Sequence, residues 1–399
     1  MFRALRYRNF RLFVGGQTIS LVGTWMQMVA QSWLVYRLTH SEWLLGATAF
    51  CLHSPVFVLG PLGGLAADRY SRHRLVVLTQ TLAMLQAIVL ALLTLTGQVR
   101  VWHLLALALV LGTINAFDMP GRQSLLIQLT GKEDLLNAIS LNSTIFNAAR
   151  VLGPSLAGVL VAGLGEGICF SLNAASFLAV LAGLLAMRLP PFEPPPRQSP
   201  WAHLIDGFRY AQRTRLLRVL LILVAIVTIS GMPALVLMPF FADAIFHRGS
   251  QGLGFLMGGM GTGAVIGTLV LASRPRATGL SKVIFVSALG VGLGFVLLSL
   301  SPSFYLALAV VPVVGFSVMR HNASVNTVIQ VSIPDAYRGR IMALYAMMVV
   351  GMGPFGSLAA GALAARFGAR LTVMLGGLLC LGAAAWFRIN CPRGACEAL

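Results

Sequence analysis

The sequence predicts an all-α integral membrane protein with twelve transmembrane helices. The chain has 399 residues, of which 57% are hydrophobic and only 10% are charged, against about 25% charged residues in an ordinary soluble domain. Its apolar runs are close to the roughly 20 residues that a helix needs to cross a bilayer. Short clusters of arginine separate these runs. A soluble fold has no interior large enough for so much apolar surface.

Each of the twelve predicted spans is a mainly apolar run bounded by charged, proline or glycine residues. The spans are 12–36, 43–66, 75–96, 101–118, 136–162, 167–187, 217–241, 252–273, 281–301, 303–331, 340–364 and 370–387. An even number of spans places both termini on the same side of the membrane.

The distribution of arginine and lysine predicts which side that is. With the N-terminus inside, the cytoplasmic segments hold 22 basic residues and the outer loops hold 5, which is the bias that sets orientation in bacterial membranes. We therefore expect a multi-pass membrane protein with both termini in the cytoplasm. The net charge of +18 does not indicate nucleic-acid binding, because the basic residues do not form one solvated face.

The chain is predicted to consist of two similar six-helix halves, 1–187 and 217–399, joined by a cytoplasmic linker at 188–216. The linker begins with a proline-rich stretch that cannot continue a helix. An amphipathic helix is predicted after it from the spacing of Trp201, Leu204, Ile205, Phe208 and Ala211; a plain soluble linker is the alternative.

Short matches between the halves indicate an internal duplication. Asp134–Ile139 aligns with Ala336–Ile341 at an offset of 202 residues, and Gly153-Pro154 aligns with Gly353-Pro354 at an offset of 200. Small changes in a nearly constant offset are typical of an old repeat.

The stretch from Gly63 to Arg74 contains the most distinctive motif, and we expect it to be a loop on the membrane surface. Its pattern G-x-x-A-D-R-x-x-R closely resembles the loop-2/3 signature of the major facilitator superfamily, with Gly64, Asp68, Arg69 and Arg72 among the matching residues. The two glycines predict a close approach to a neighbouring helix. An ordinary positive-inside hairpin is the alternative.

Three further stretches resemble the enterobactin-exporter branch of that superfamily. They run from Gly23 to Thr39, from Ala116 to Gln123 and from Pro334 to Arg340. The resemblance implies a fold of two pseudo-symmetric six-helix halves that transports by alternating access. It also implies a proton-coupled exporter of siderophores, drugs or other amphiphilic small molecules.

We expect the motif to act as a latch on the cytoplasmic gate. In this hypothesis Asp68 faces the N-terminus of span eleven near Arg340, and Arg69 or Arg72 pairs with Asp118 at the end of span four. A surface ion pair contributes only about 0–1 kcal/mol, so such a latch biases the two states without locking one.

A set of polar residues inside the spans is predicted to line a central cavity. Span one carries a polar stripe in which Gln17, Thr24, Gln27 and Gln31 fall on one helical face with Ser20, and such a stripe suits a water-filled path. The other candidates are Asn115, Asn142, Asn147, Arg150, Arg320, His321 and Asn322. Purely structural pairing between helices is the alternative for the two arginine clusters.

Span five contains the helix-bend motif Gly153, Pro154 and Gly158, which is similar to the G-P-x-x-x-G signature of superfamily exporters. The proline frees a backbone carbonyl and the glycines allow tight packing. A kink without functional consequence is the alternative.

The coupling ion is expected to be H⁺, although no acidic residue lies at the centre of a predicted span. His321 and His53 are the mid-span groups that titrate near neutrality, and each is also interpretable as a structural histidine. Proton antiport therefore follows from the resemblance and not from the residues.

The other predicted partners are the lipid bilayer and a small-molecule substrate. We expect a monomer with no nucleic acid, cofactor or metal. An uptake carrier or a lysophospholipid flippase of the same fold is the alternative function. A membrane enzyme is disfavoured because neither H-E-x-x-H nor G-x-S-x-G occurs, and a sensor that does not transport is a further alternative.

Overall fold

The computed structural model describes residues 3–131, 134–189, 208–273 and 279–391, and the regular elements in these ranges are all helices. Ten long helices are continuous. They are α1 (Arg8–Thr39), α2 (Glu42–Arg69), α3 (Arg72–Leu95), α4 (Val101–Thr130), α5 (Leu135–Leu164), α6 (Glu166–Leu185), α8 (Gly249–Ala272), α9 (Leu280–Leu300), α10 (Phe304–Ser332) and α12 (Ala369–Asn390).

Two further long helices contain a π-helical turn. Helix α7 comprises Arg215–Val236, Met238–Phe240 and the π turn Phe241–Ile245, whereas α11 comprises Asp335–Ala346, the π turn Met347–Gly351 and Gly353–Phe367. A 3₁₀ turn at Arg3–Arg6 precedes α1.

Eleven helices in the described residues are long and apolar enough to cross a membrane. Helix α1 is not among them although it has 32 residues, because the polar stripe lowers its apolarity. The fold class is thus confirmed, while the crossing by α1 stays a prediction.

Two predicted boundaries are wrong in ways that matter for the site. Helix α4 was expected to end at Asp118 but continues through Pro120 to Thr130, since a membrane helix tolerates proline where neighbouring groups satisfy the freed backbone. The expected surface loop after span two is reduced to Tyr70 and Ser71, because α2 runs to Arg69 and α3 starts at Arg72. The Ser71 side chain accepts a hydrogen bond from the Arg74 backbone and caps α3.

The described residues form two compact units. Unit 1 contains the residues up to His40, those from Cys51 to 189, and Gly249–Gly258; unit 2 contains Ser41–Phe50, the residues from 208 to Arg248, and those from Gly259 to 391. The first turns of α2 and α8 are therefore each grouped with helices of the other half. The predicted division at 188–216 stays a prediction.

Unit 1 is organised around α1, which packs along α5 and α6, while α3 packs against α4 and α6. Near the N-terminus its core is made by buried Phe10, Phe13, Val76, Leu125 and Leu184. Apolar contacts of this kind hold the ends of α1, α3, α4 and α6 together.

Unit 2 is organised around α9, which packs against α10 and α12, while α7 packs against α11 and α12. The end of the linker joins this unit, because Tyr210 stacks on Tyr337 of α11 with ring centroids 4.2 Å apart. Of the predicted amphipathic helix, Trp201, Leu204 and Ile205 lie outside the described residues. Phe208 is exposed and Ala211 is buried.

Glycines set the closest helix contacts, as predicted for membrane packing. A Cβ atom placed on Gly63 of α2 would lie 1.9 Å from the Ala116 carbonyl oxygen of α4, whereas one placed on Gly64 would have no atom within 4 Å. The expected close approach is therefore correct for Gly63 and wrong for Gly64, since adjacent residues point to different sides of a helix.

Replacing Gly63 with alanine is expected to destabilise the protein, because the new methyl group meets backbone that cannot move independently of α4. Overpacking of this kind costs about 1–3 kcal/mol. Gly64→Ala is the matched control: it gains the same helix propensity, about 1 kcal/mol, without the clash. Thermal unfolding of the two purified variants in detergent measures the difference. Equal melting temperatures would contradict the α2–α4 contact.

Candidate functional site

Asp118 is a carboxylate buried inside unit 1. It lies on α4 with 1% of its surface exposed, and it accepts hydrogen bonds from Thr79 Oγ1 at 2.7 Å and from Gln80 Nε2 at 2.8 Å, both on α3. It also forms an ion pair with Arg122, one turn further along α4. A buried charge is retained only when it is paired and hydrogen-bonded, and Asp118 meets both conditions.

Arg122 connects this carboxylate to α1. Its Nη1 donates to Gln17 Oε1 at 3.0 Å, while its other terminal nitrogen binds Asp118. The continuation of α4 through Pro120 produces this geometry, because residues four apart lie on the same helical face. We name Gln17, Thr79, Gln80, Asp118 and Arg122 the α1–α3–α4 network.

A second set of buried amides lies further along α1. Gln27 donates to Gln86 Oε1 of α3 at 3.1 Å and accepts from Asn173 Nδ2 of α6 at 2.7 Å. Gln31 lies one turn further and donates to the Leu104 carbonyl oxygen at 3.4 Å. Amide side chains that find partners between helices hold membrane bundles together.

The polar stripe of α1 is thus mostly internal to unit 1. Gln17, Gln27 and Gln31 are each at most 5% exposed, whereas Thr24 is exposed and Asn115 of α4 is partly buried. Thr24 donates to the Ser20 carbonyl oxygen within its own helix. The role of these residues in lining a water-filled path stays a prediction; the structure shows the three glutamines as packing partners.

Helix α5 presents the second group of candidates. Asn142, Asn147 and Arg150 are partly buried, and Asn147 donates to the Ser143 carbonyl oxygen. Of the described residues, none places a carboxylate within ion-pair distance of Arg150.

The helix-bend motif of α5 lies at two close helix contacts. A Cβ atom on Gly153 would lie 2.5 Å from Trp25 Cβ of α1, and one on Gly158 would lie 2.8 Å from the Gly254 Cα atom, which also belongs to unit 1. The predicted tight packing at Gly153 and Gly158 is confirmed. Pro154 lies within the continuous helix, and a functional bend there stays a prediction.

The third group of candidates lies on α10 in unit 2. Arg320 is partly buried with its guanidinium carbon 5.0 Å from the centre of the Phe316 ring, and His321 is fully buried. The Asn322 carbonyl oxygen accepts a hydrogen bond from Tyr345 Oη of α11 at 2.8 Å. The expected convergence of these residues with Arg150 stays a prediction.

The residues of the predicted latch lie where α2 meets α3. Asp68 and Arg69 are exposed in the last turn of α2, and Arg72 is partly buried at the start of α3. The cation that the structure places on Asp118 is Arg122, which the sequence predicts in a loop. The pairings of Asp68 near Arg340 and of Asp118 with Arg69 or Arg72 stay predictions.

Several residues of the two networks were not expected to take part. Arg122 has a sequence signal, since Asp118-x₃-Arg122 is the spacing of an i,i+4 ion pair, but Pro120 between them suggests a helix end. Thr79, Gln80, Gln86 and Asn173 are isolated polar residues in apolar runs. The sequence signal for them was a polar residue in an otherwise apolar span, which indicates a face that packs against another helix and not against lipid.

The described residues contain no group of three His, Cys, Asp or Glu side chains that could hold a metal ion. The polar groups described above include amides, hydroxyls, guanidinium groups and the Asp118 carboxylate, all on long helices. Together with the eleven apolar helices, they define an integral membrane protein with many spans.

The chain belongs to the transmembrane secretion effector family, whose model matches residues 1–399. It is 25% identical over 380 residues to the staphyloferrin A transporter of Staphylococcus aureus, covering 92% of both chains. It is 26% identical over 356 residues to the enterobactin exporter EntS of Shigella boydii and of Escherichia coli, covering 89% of this chain and 85% of those relatives.

Solved transporters share the fold at low sequence identity. The nucleoside transporter NupG aligns with a TM-score of 0.77 at 15% identity, covering 96% of this chain and 98% of that one. A POT family transporter in complex with 5-aminolevulinic acid aligns with a TM-score of 0.77 at 11% identity, covering 97% and 96%. At these identities the likeness shows the fold alone.

Changing Asp118 to asparagine is expected to lower stability strongly, because it leaves the Arg122 charge without its anion. Removing one partner of a fully buried ion pair costs about 3–5 kcal/mol, and this is the upper limit here because 26% of the Arg122 side chain is exposed. The double variant Asp118→Asn, Arg122→Gln restores charge balance and is expected to be more stable than Asp118→Asn alone. Thermal unfolding of the single and double variants checks this.

The ion pair between Arg37 and Glu166 gives a control, because half of the Arg37 side chain is exposed. Glu166→Gln is expected to cost less than Asp118→Asn, because the Arg37 guanidinium that it leaves unpaired is half exposed to water, whereas only 26% of the Arg122 side chain is exposed. Additive effects of the Asp118 and Arg122 changes would contradict the coupling.

Proposed function

We propose that this protein is a secondary active exporter of siderophores and related amphiphilic small molecules. The observation that carries the proposal is the match of the whole chain to the secretion effector family, together with two siderophore-transporting relatives that align over most of both chains. In this proposal the bundle has two six-helix halves, joined at 188–216, that alternate access to the substrate. Transport is coupled to H⁺, and the protein acts as a monomer.

The candidate cavity residues suit an anionic, hydrogen-bonding substrate. Arg150 on α5 is a partly buried cation without a carboxylate within ion-pair distance in the described residues, and cations at membrane depth usually face a wet cavity or a ligand. Asn142 and Asn147 lie on the same helix and supply neutral donors. Catecholate and carboxylate siderophores present matching oxygen acceptors, and guanidinium groups bind such anions well.

Transport of purified enterobactin by proteoliposomes tests this proposal, with ethidium as a cationic comparison. We expect enterobactin flux above protein-free vesicles. Arg150→Gln is expected to raise the KM for enterobactin about tenfold or more, because a charge-assisted hydrogen bond contributes about 1.5–3 kcal/mol. Arg366→Gln changes an exposed arginine at the end of α11 and is the matched control.

Two results would contradict the proposed substrate class: flux of ethidium without flux of enterobactin, or an unchanged KM in Arg150→Gln. Direction is measured separately, by comparing enterobactin release from intact cells with its accumulation in them. Net accumulation would favour the uptake carrier.

The proposal places the protein in the bacterial inner membrane with both termini in the cytoplasm. The 22-to-5 bias of basic residues supports this orientation. A green fluorescent protein fused after Leu399 is expected to fluoresce, whereas alkaline phosphatase fused at the same position is expected to be inactive, because it requires export. The reverse pattern would place the C-terminus outside.

A further inference from the structure

Helices α9 and α10 cross in a register that brings three polar side chains of unit 2 within about one helical turn of one another. A Cβ atom on Gly290 would lie 2.4 Å from Ser317 Oγ, and one on Gly294 would lie 2.4 Å from Val314 Cγ2. The two helices therefore run antiparallel. One helical turn beyond Gly290 and Ser317, Ser287 of α9 lies opposite His321 of α10.

The backbone of Ile284 lies beside the His321 ring, which agrees with this register. Ser324 follows His321 by three residues and so shares its helical face. Ser287, His321 and Ser324 form what we name the α9–α10 polar cluster.

The cluster is buried and its polar atoms are unsatisfied. Ser287 is 3% exposed, and His321 and Ser324 are 0% exposed. Both ring nitrogens of His321 and the hydroxyl oxygens of Ser287 and Ser324 have no hydrogen-bond partner among the described residues. Burying one such group costs about 1–3 kcal/mol, so four buried polar atoms without partners within about one helical turn point to a site that takes a ligand.

We propose that the α9–α10 polar cluster is the proton-binding site that couples transport to the H⁺ gradient, with His321 as the proton carrier. This inference rests on the proposed function and assigns its coupling step to residues. Histidine is the side chain that gains and loses a proton near neutral pH. The two serine hydroxyls can accept hydrogen bonds from the N–H groups of an imidazolium.

The other charged or titratable groups described below on the surrounding helices each have a contact or a position away from the cluster. Arg320 precedes it on α10 and stacks on Phe316, Lys282 of α9 is exposed, and Arg388 of α12 lies over Phe285. Tyr345 of α11 donates its hydroxyl to the Asn322 carbonyl.

Helix α8, which contacts α10 at Pro312, has no titratable residue between Gly249 and Ala272. Of the carboxylates in unit 2 whose side chains the structure describes, Glu42 lies at the start of α2 and Asp243 near the end of α7. Among the side chains that the structure describes in unit 2, the cluster thus offers an imidazole without a competing acid.

The proton balance of the cycle is simple. Neutral His321 takes one proton from the aqueous side of higher proton concentration and becomes an imidazolium. The change of access that follows lets the imidazolium give the same proton to the other side, and the neutral form then carries the substrate in the opposite direction. One proton crosses for each cycle, and no other reactant is consumed.

Proteoliposomes with an imposed pH gradient and enterobactin as the probe test the assignment. One proton per substrate supports about tenfold accumulation in the acidic compartment for each pH unit. We expect the unmodified protein to reach such accumulation and His321→Gln to lose it, while His321→Gln still exchanges enterobactin between equal concentrations without a gradient. His53→Gln changes the other mid-span histidine and is expected to keep the accumulation.

A gradient response that persists in His321→Gln, or that is lost in His53→Gln instead, would overturn the inference. So would a double Ser287→Ala, Ser324→Ala variant whose dependence on pH matches that of the unmodified protein. If His321→Gln also loses exchange without a gradient, its lost accumulation no longer reports on coupling. The pH dependence of the double serine variant then decides the assignment.

A measurement independent of the substrate separates this inference from the proposed function. The ring nitrogens of ¹⁵N-histidine-labelled protein in detergent are followed by NMR across the range in which histidines titrate, roughly pH 4 to 8. We expect one titrating signal that His321→Gln removes. Its absence overturns the proton site even if enterobactin is transported, whereas its presence without any enterobactin flux overturns the proposed substrate and retains the site.

Discussion

The packing of α1, α3 and α4 in unit 1 depends on the hydrogen bonds and the ion pair that satisfy the buried Asp118 carboxylate. A charge of this kind is expensive in a lipid environment unless nearby groups replace its water. Two donors from α3 and one cation from α4 do so, and Arg122 in turn binds Gln17 of α1. Because each group has a fixed partner, three helices are held in one relative rotation, which apolar packing between similar side chains does not specify by itself.

Much of this fold follows from the sequence because lipid restricts the choices. A span must be an apolar helix of nearly fixed length, so the helices could be located from the apolar runs. The contacts between helices could not be found in that way. Gly63 and Gly64 look alike in sequence, yet one touches α4 and the other faces open space, since contact depends on the rotation of α2 about its axis.

The contacts of the candidate site also could not be predicted from the sequence. Asp118 could be recognised as important, but Pro120 hid the i,i+4 relation to Arg122, because a proline that ends a helix in water is tolerated in a membrane. The glutamines of α1 could be placed on one face, but their partners Gln86 and Asn173 lie on helices distant in sequence. Periodicity identifies the polar face, whereas tertiary packing decides whether that face meets water or amides.

The two units differ in how they treat buried polar groups, and this difference bears on transport. In unit 1 the Asp118–Arg122 ion pair and the buried glutamines of α1 each have at least one partner, although Gln17 Nε2 has none among the described residues. Rearranging α1, α3 and α4 against each other would therefore break several hydrogen bonds at once. In unit 2 the α9–α10 polar cluster leaves His321, Ser287 and Ser324 unsatisfied. A satisfied network resists change, while an unsatisfied one gains free energy when a proton or polar ligand arrives. In the proton-coupled cycle that we propose, unit 2 would supply such a site within the described residues, while the hydrogen-bonded network of unit 1 would supply rigidity.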